Sequence, residues 1–280
     1  MQLQLGPHHI DCTRRTAIMA ILNVSYDSPV APSIVDPARA LDRARELHKA
    51  GAEIIDVGAH STSSVARDIT PQEEIERVAP VVEALARDGL PVSVDTWTPE
   101  VANAAAEAGA HLLNDVTGFT NPAMVAVAVD RRLPVVVMHM RGEPKRHYEA
   151  DQRYDDIAAV VRDFLVERAE ALERAGTGQV WLDPGFGFGK SMEDNMRLAA
   201  GLPGLVASGR PVLVSASRKG FLAEALGRGN RQDAAGLLEA TVAFNSIAAW
   251  MGVHVVRVHD VAEVADAIRM VNAIRAQVGG

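Results

Sequence analysis

Short apolar runs recur along the whole chain and set its architecture. They read TAIMAILN, EIIDVG, PVSVD, HLLND, PVVVMHM, QVWLD, PVLVSAS and VHVVRVH. Each is too short for a helix and nearly continuous in apolar character, the pattern of a strand covered on both faces. The segments between them have helical period. In DIAAVVRDFLVERAEAL, Ile157, Val160, Val161, Phe164 and Leu165 fall on one stripe. DPARALDRARELHKAG starts with Asp36 as a cap and Pro37 in the first turn, and it ends on Gly51. ITPQEEIERVAPVVEAL starts the same way, on Thr70 and Pro71. Eight strands, seven connections and a closing helix, VAEVADAIRMVNAIRA, predict one TIM (β/α)8 barrel domain over residues 1–280. A doubly wound open sheet is the alternative. Residues 1–16 precede the first strand and are expected to form a small cap segment.

In such a barrel, polar groups at the C-terminal ends of the strands line the active site. Here the ends read Asn23, Asp56 to Gly58, Asp95, Asn114–Asp115, Met138–His139, Asp183, Ser215–Ser217 and Arg257–His259. A single acid after a strand often only caps the next helix. A polar residue at nearly every strand end is harder to explain that way. The chemistry falls into two groups. Asp95, Asn114, Asp183 and Lys219 suit a flat, nitrogen-rich heterocycle: carboxylates accept from ring N–H and amino groups, and an ammonium donates to a ring carbonyl or nitrogen. Asn23, Arg257 and His259, with Arg218 nearby, suit an anion such as a phosphate with a divalent metal on the Asn carbonyl oxygen.

The stretch DPGFGFGKS, residues 183–191, imitates a phosphate loop but does not match one. Gly185 and Gly189 are separated by three residues, one short of a P-loop, and G-x-G-x-G is not the dinucleotide fingerprint. QVWLDP instead reads as a strand ending on Asp183 and followed by a turn.

Composition narrows the class. The 280 residues are 48% hydrophobic and 23% charged, which is ordinary for a globular chain. A net charge of −8 argues against nucleic-acid partners. The single cysteine, Cys12, rules out an internal disulfide framework and reads as a small apolar filler. MQLQLGPHH lacks the form of a secretion signal, and no apolar run reaches the ~18 residues that span a bilayer. A cytoplasmic protein without a membrane partner is the expectation.

At the level of motifs the chain resembles the dihydropteroate synthases of the pterin-binding family. The resemblance runs from about Met19 to the last helix and rests on MAILNV with Asp27-Ser28, GAEIIDVG with Ser61-Thr62, VSVDT, AGAHLLNDVTG, VVMHMRG, LDPGFGFGK, SRKGF and VRVHDV. It implies a barrel that joins a dihydropterin diphosphate to p-aminobenzoate and releases pyrophosphate, in folate biosynthesis. It also implies a pterin site at Asp95, Asn114, Val116, Met138, Asp183 and Lys219. Thr62, Phe188, Ser217, Arg218, Arg257 and His259 would border the diphosphate and the arylamine, and Asn23 would hold Mg²⁺. Lys219, Arg257, His259 and Asp27 are the catalytic candidates, and a homodimer is expected. On this reading the glycines of GFGFG let a loop lie over a ring and present Phe188.

Two loops depart from the family's pattern. After the first strand the family reads N-V-T-P-D-S-F-S-D-G-G, whereas this chain reads NVSYDSPVAPSIVDP. After the second it reads G-G-E-S-T-R-P-G-A, whereas this chain reads GAHSTSSVA, with His60 for the acid and Ser63 for the arginine. Those loops border the diphosphate and arylamine sites in the family. The departures therefore carry an alternative: a divergent pterin-binding paralogue that uses a different amine or lacks synthase activity.

Overall fold

A computed structural model describes residues 1–25, 34–63, 66–147, 149, 153–228 and 236–278. The chain opens with a short antiparallel hairpin, β1 (Gln2–Leu5) and β2 (His8–Asp11). Every apolar run named above then forms a strand of one parallel sheet. The strands are β3 (Ala17–Asn23), β4 (Ile54–Gly58), β5 (Val92–Asp95), β6 (Leu112–Asp115), β7 (Val135–Met138), β8 (Val180–Asp183), β9 (Leu213–Val214) and β10 (Val255–Val258). Their order is β8-β7-β6-β5-β4-β3-β10-β9. A parallel bridge between Leu182 and Val212, with the Leu182 N–H donating to the Pro211 carbonyl at 2.8 Å, joins the two ends of that order. The sheet therefore closes on itself, as a TIM barrel does and a doubly wound sheet does not.

The helices cover its outside: α1 (Ala40–Ala50), α2 (Pro71–Arg87), α3 (Pro99–Glu107), α4 (Pro122–Asp130), α5 (Ile157–Ala175), α6 (Met192–Ala200), α7 (Leu202–Val206), α8 (Gly220–Ala225), α9 (Leu238–Trp250) and α10 (Val261–Val278). Their starts follow from capping chemistry. Thr70 and Glu73 form a reciprocal capping box on α2, satisfying two backbone donors at once. Asp36 caps a short 3-10 turn, Pro37–Arg39, that leads into α1, and Gly51 ends α1 at φ 123°. In α5 the buried stripe is Ile157, Val161, Leu165, Ala169 and Leu172, while Val160 is 41% exposed. The stripe expected to include Val160 thus turns slightly away from it, because burial follows the i, i+4 row of the helix.

The period of two along each strand divides the apolar residues into two cores. One register faces the helices; it includes Ile18, Ala20, Leu22, Ile55, Val57, Val92, Val94, Leu113, Val135, Val137, Leu182 and Val256. The other register faces the barrel axis, where Met19, Ile54, Leu112, Val136, Trp181, Leu213 and Val255 pack together. Leu3, Leu5 and Ile10 join this axial layer from the β1–β2 hairpin. The hairpin is therefore the floor of the barrel. Gln179 pins it there: its amide donates to the Gln2 carbonyl at 2.9 Å and its oxygen accepts from Trp181 Nε1 at 2.9 Å. Cys12 belongs to the same floor, and burial pushes its thiol up to about 11, out of the reactive range.

Above the floor the axial register becomes polar. Continuing β4, β5, β6, β8 and β10 upward by twos places Asp56, Asp95, Asn114, Asp183 and Arg257 on the axis. Apart from Ser93 on β5, these five strands are apolar on both faces at the bottom and on one face only at the top, and the polar layer is the wall of the site.

Candidate active site

Arg257 is the hub of this layer. Its Nε donates to Asp56 Oδ2 at 2.5 Å and its Nη2 to Asp95 Oδ2 at 2.6 Å. Asn114 Nδ2 adds a longer bond to Asp56 Oδ2 at 3.3 Å. The Asp56 side chain is fully buried, and a charge there needs this pairing. Asp95 keeps 21% exposure toward the mouth. Burial raises its pKa to about 7; Arg257 opposes the rise and the Asp56 charge adds to it. Asp95 can therefore accept a hydrogen bond or hold a proton near neutral pH.

Asp183 and Lys219 form the opposite wall. Asp183 accepts from the Gly185 N–H at 2.7 Å and is almost wholly buried, which raises its pKa against the pull of Lys219. Burial also lowers Lys219, to about 8, with Asp183 pulling the other way. Its ammonium donates to the Phe186 carbonyl at 2.6 Å and sits 4.4 Å above the Phe188 ring. Met138 and Val116 are buried beside these polar walls, on β7 and just after β6. Two carboxylates, an amide and an ammonium around apolar side chains can hold a planar ring that carries both donors and acceptors.

His259 follows β10. The Ser217 hydroxyl accepts from the His259 backbone N–H at 3.2 Å and lies 3.0 Å from His259 Nδ1. With the Ser217 hydroxyl donating to Nδ1, the imidazole proton would sit on Nε2. Burial lowers this histidine to about 3, so it is a neutral donor at physiological pH. Arg218 lies across the same strand ends at φ 55°, in the left-handed region. Its guanidinium grips Asp260 at 2.8 and 2.5 Å, so it contributes charge from a fixed position. A cavity of about 250 Å³ runs past Arg218, His259 and Asp260 between β3, α1 and the start of α10.

The structure thus brings Asp95, Asn114, Val116, Met138, Asp183, Lys219, Arg257, His259, Ser217 and Phe188 to one end of the barrel. Thr62 is half-buried in the loop after β4, next to Ser61, and Asn23 ends β3 beside β10. Asp27 lies outside the described residues. Among the described residues no three His, Cys, Asp or Glu side chains form a metal cage. One amide oxygen, from Asn23, fits an ion such as Mg²⁺, which keeps most of its waters and is carried largely by substrate phosphates. Arg67, four residues after the Ser63 that stands where the family has an arginine, donates to Glu73 at 3.2 Å at the start of α2.

Two residues of the site escape the sequence pattern. It marks Asp56 only as a strand end, yet Asp56 is the fully buried partner of Arg257. Lys190, at the end of GFGFGK, is 2% exposed and donates to the carbonyls of His139 (3.1 Å), Gly185 (2.8 Å) and Phe188 (3.0 Å). The glycine loop wraps a lysine of its own chain. Gly185, Gly187 and Gly189 all have positive φ, and a Cβ at Gly185 would lie 2.0 Å from the His139 carbonyl oxygen. Gly185 and Gly189 are required by close backbone contact with the loop after β7, at His139 and Arg141, whereas Gly187 faces the Lys219 side chain.

Residues 19–259 match the family described as pterin binding enzyme. The dihydropteroate synthase of Escherichia coli (strain K12) is 41% identical over 263 residues, 91% of this chain and 90% of that protein. The crystal structure of dihydropteroate synthase from Thermus thermophilus in complex with 4-aminobenzoate aligns with a TM-score of 0.87 at 41% identity, over 98% of this chain and 100% of the other. That of the Xanthomonas albilineans enzyme in complex with 7,8-dihydropteroate aligns with a TM-score of 0.83 at 36% identity, over 99% of each.

Proposed function

Because the chain belongs to the pterin binding enzyme family, we propose that it is a dihydropteroate synthase, joining 6-hydroxymethyl-7,8-dihydropterin diphosphate to p-aminobenzoate with loss of pyrophosphate. The observation that supports this most is the set of Asp95, Asn114 and Asp183 on the barrel axis with Lys219 from the loop after β9, in a chain 41% identical to a synthase over 91% of its length. The solved relatives in complex with 4-aminobenzoate and with 7,8-dihydropteroate carry one substrate and the product of this reaction.

In this reading the pterin ring enters between the two walls. Its N–H and amino groups donate to Asp95 and Asp183, Asn114 completes the edge, and Lys219 donates to a ring acceptor. The ring's donors replace the Arg257 contact with Asp95, which turns an edge of the guanidinium toward the diphosphate. Arg257, His259 Nε2–H and Arg218 then face the leaving oxygens, with the Ser217 hydroxyl holding the imidazole. Bound at Asn23 and the phosphates, Mg²⁺ would neutralise charge on the leaving group. The bond from the methylene carbon to the diphosphate oxygen breaks and its electron pair leaves with pyrophosphate. The arylamine nitrogen bonds to that carbon and loses one proton to solvent. No protein nucleophile is needed, so rate enhancement comes from positioning and from stabilising leaving-group charge. Phe188 and Thr62 border the arylamine, and Asp27 completes the catalytic set.

Large apolar side chains stand exposed on the adjacent helices α9 and α10: Ile247, Trp250, Met270 and Ile274. They support a homodimer through this face. Among the described residues no helix is long and apolar enough to cross a membrane, in keeping with the proposed cytoplasmic location.

The test is product analysis. Purified protein given the pterin diphosphate, p-aminobenzoate and Mg²⁺ should yield dihydropteroate by mass spectrometry. Absence of that product while the pterin still binds would favour the divergent paralogue.

A further inference from the structure

Lys190 lies in a loop between β8 and α6, outside every strand and helix, yet its side chain is almost completely buried. An ammonium out of water needs several acceptors. Here they are three backbone carbonyls drawn from two different loops: His139 after β7, and Gly185 and Phe188 after β8. The same loop is clamped from behind by Asn195 of α6. Its Oδ1 accepts from the Gly187 N–H at 2.7 Å, and its Nδ2 donates to the Lys190 and Ser191 carbonyls at 3.3 and 2.7 Å.

Each group held by Lys190 leads into the site within one step. The Gly185 residue that gives its carbonyl to Lys190 gives its N–H to Asp183. The adjacent Phe186 carbonyl accepts from Lys219. Phe188, whose carbonyl Lys190 also holds, carries the ring beneath the Lys219 ammonium.

Three cations act on Asp183. Lys219 comes from the loop after β9, and Arg257 from β10 is bound to Asp56 and Asp95. Both are committed to substrate in the reading above. The third is Lys190, tied to main chain on three sides; burial lowers its own pKa well below the usual lysine value, and the Asp183 charge opposes that fall. The nearby His139 imidazole, on the loop after β7, is held neutral by burial and adds no charge.

We propose that Lys190 is a positioning residue for the pterin acceptor: its three carbonyl contacts fix the GFGFG loop so that Asp183, Lys219 and Phe188 keep one arrangement, and its ammonium adds to the positive charge acting on Asp183. The loop's glycines are then shaped around an internal cation. This inference rests on the pterin-binding reading of the site.

The experiment compares wild type, Lys190→Met and Lys190→Arg in steady-state synthase assays from pH 5 to 9. Removing a cation raises the pKa of a neighbouring carboxylate, so Asp183 is protonated at higher pH in the Met variant. The expected result is a Lys190→Met protein with wild-type far-UV circular dichroism and kcat/KM for the pterin diphosphate lower by about tenfold or more. Its acid limb lies at higher pH than that of wild type. Lys190→Arg keeps the acid limb of wild type, whatever its absolute rate. Acid limbs that coincide in all three proteins, or that shift equally in both variants, overturn the proposal. So does failure of both variants to fold, which would make Lys190 a stability element. If wild type makes no dihydropteroate, the synthase reading fails separately, and calorimetric titration of the three proteins with the pterin diphosphate decides the inference by the same comparison.

Discussion

Replacing Arg257 by Met would remove a cation that contacts two carboxylates in the axial layer. Asp56 is fully buried, Asp95 is 21% exposed and Arg257 itself 15%. Breaking such a pair by deleting one partner costs about 3–5 kcal/mol, because the charge left behind stays out of water. The chain has 280 residues, and at about 2.1 cal/mol/K per residue the unfolding entropy is about 0.6 kcal/mol/K. The midpoint should therefore fall by about 5–8 °C at pH 8. The pH dependence carries the diagnostic sign. Asp95 has a folded pKa raised above its unfolded value, to about 7. Its contribution to stability is complete below the unfolded pKa and is lost as pH rises through the folded one. Without Arg257 the folded pKa rises further, so the deficit of the variant should grow between pH 5 and pH 8. Differential scanning calorimetry at both values measures it. An unchanged midpoint, or an equal drop at both pH values, would refute the electrostatic account of the hub.

Three further outcomes are expected. Gly185→Ala places a Cβ 2.0 Å from the His139 carbonyl oxygen at φ +66°; left-handed strain alone is about 1–2 kcal/mol, so both the melting midpoint and pterin affinity by calorimetry should fall. Leu3→Ala, in the fully buried floor, should cost about 2–5 kcal/mol in a denaturant titration, with the KM of both substrates unchanged because the floor lies at the far end of the barrel. Ser217→Ala removes the hydroxyl 3.0 Å from His259 Nδ1, and loss of one such bond should lower kcat about tenfold with the pterin KM unchanged.

The fold was legible because its signal is local. Each strand is a short apolar run, and the helix starts at Thr70 and Asp36 carry capping residues whose chemistry acts within three positions. The candidate site was legible as a set of polar strand ends, since the barrel brings those ends together whatever the details. Pairings inside the site were not legible. Arg257 meets Asp56 across 201 positions and Asp95 across 162, and no pattern in the chain specifies which carboxylate a strand-end arginine faces. Lys190 escapes for a related reason: a lysine after a glycine run reads as solvated or phosphate-binding, and only the packed loops show that three carbonyls enclose it. The Val160 position in α5 misses the core by a fraction of a turn, which periodicity alone does not resolve.

The central claim is that the polar layer at the barrel mouth activates a pterin diphosphate toward p-aminobenzoate. Pyrophosphate release by the purified protein, measured with the pterin diphosphate and Mg²⁺ in the presence and absence of p-aminobenzoate, tests it most directly. The account predicts release that depends on p-aminobenzoate, stays equimolar with dihydropteroate and is abolished in Asp183→Asn. Release that ignores p-aminobenzoate, or pterin binding with no release, would contradict it.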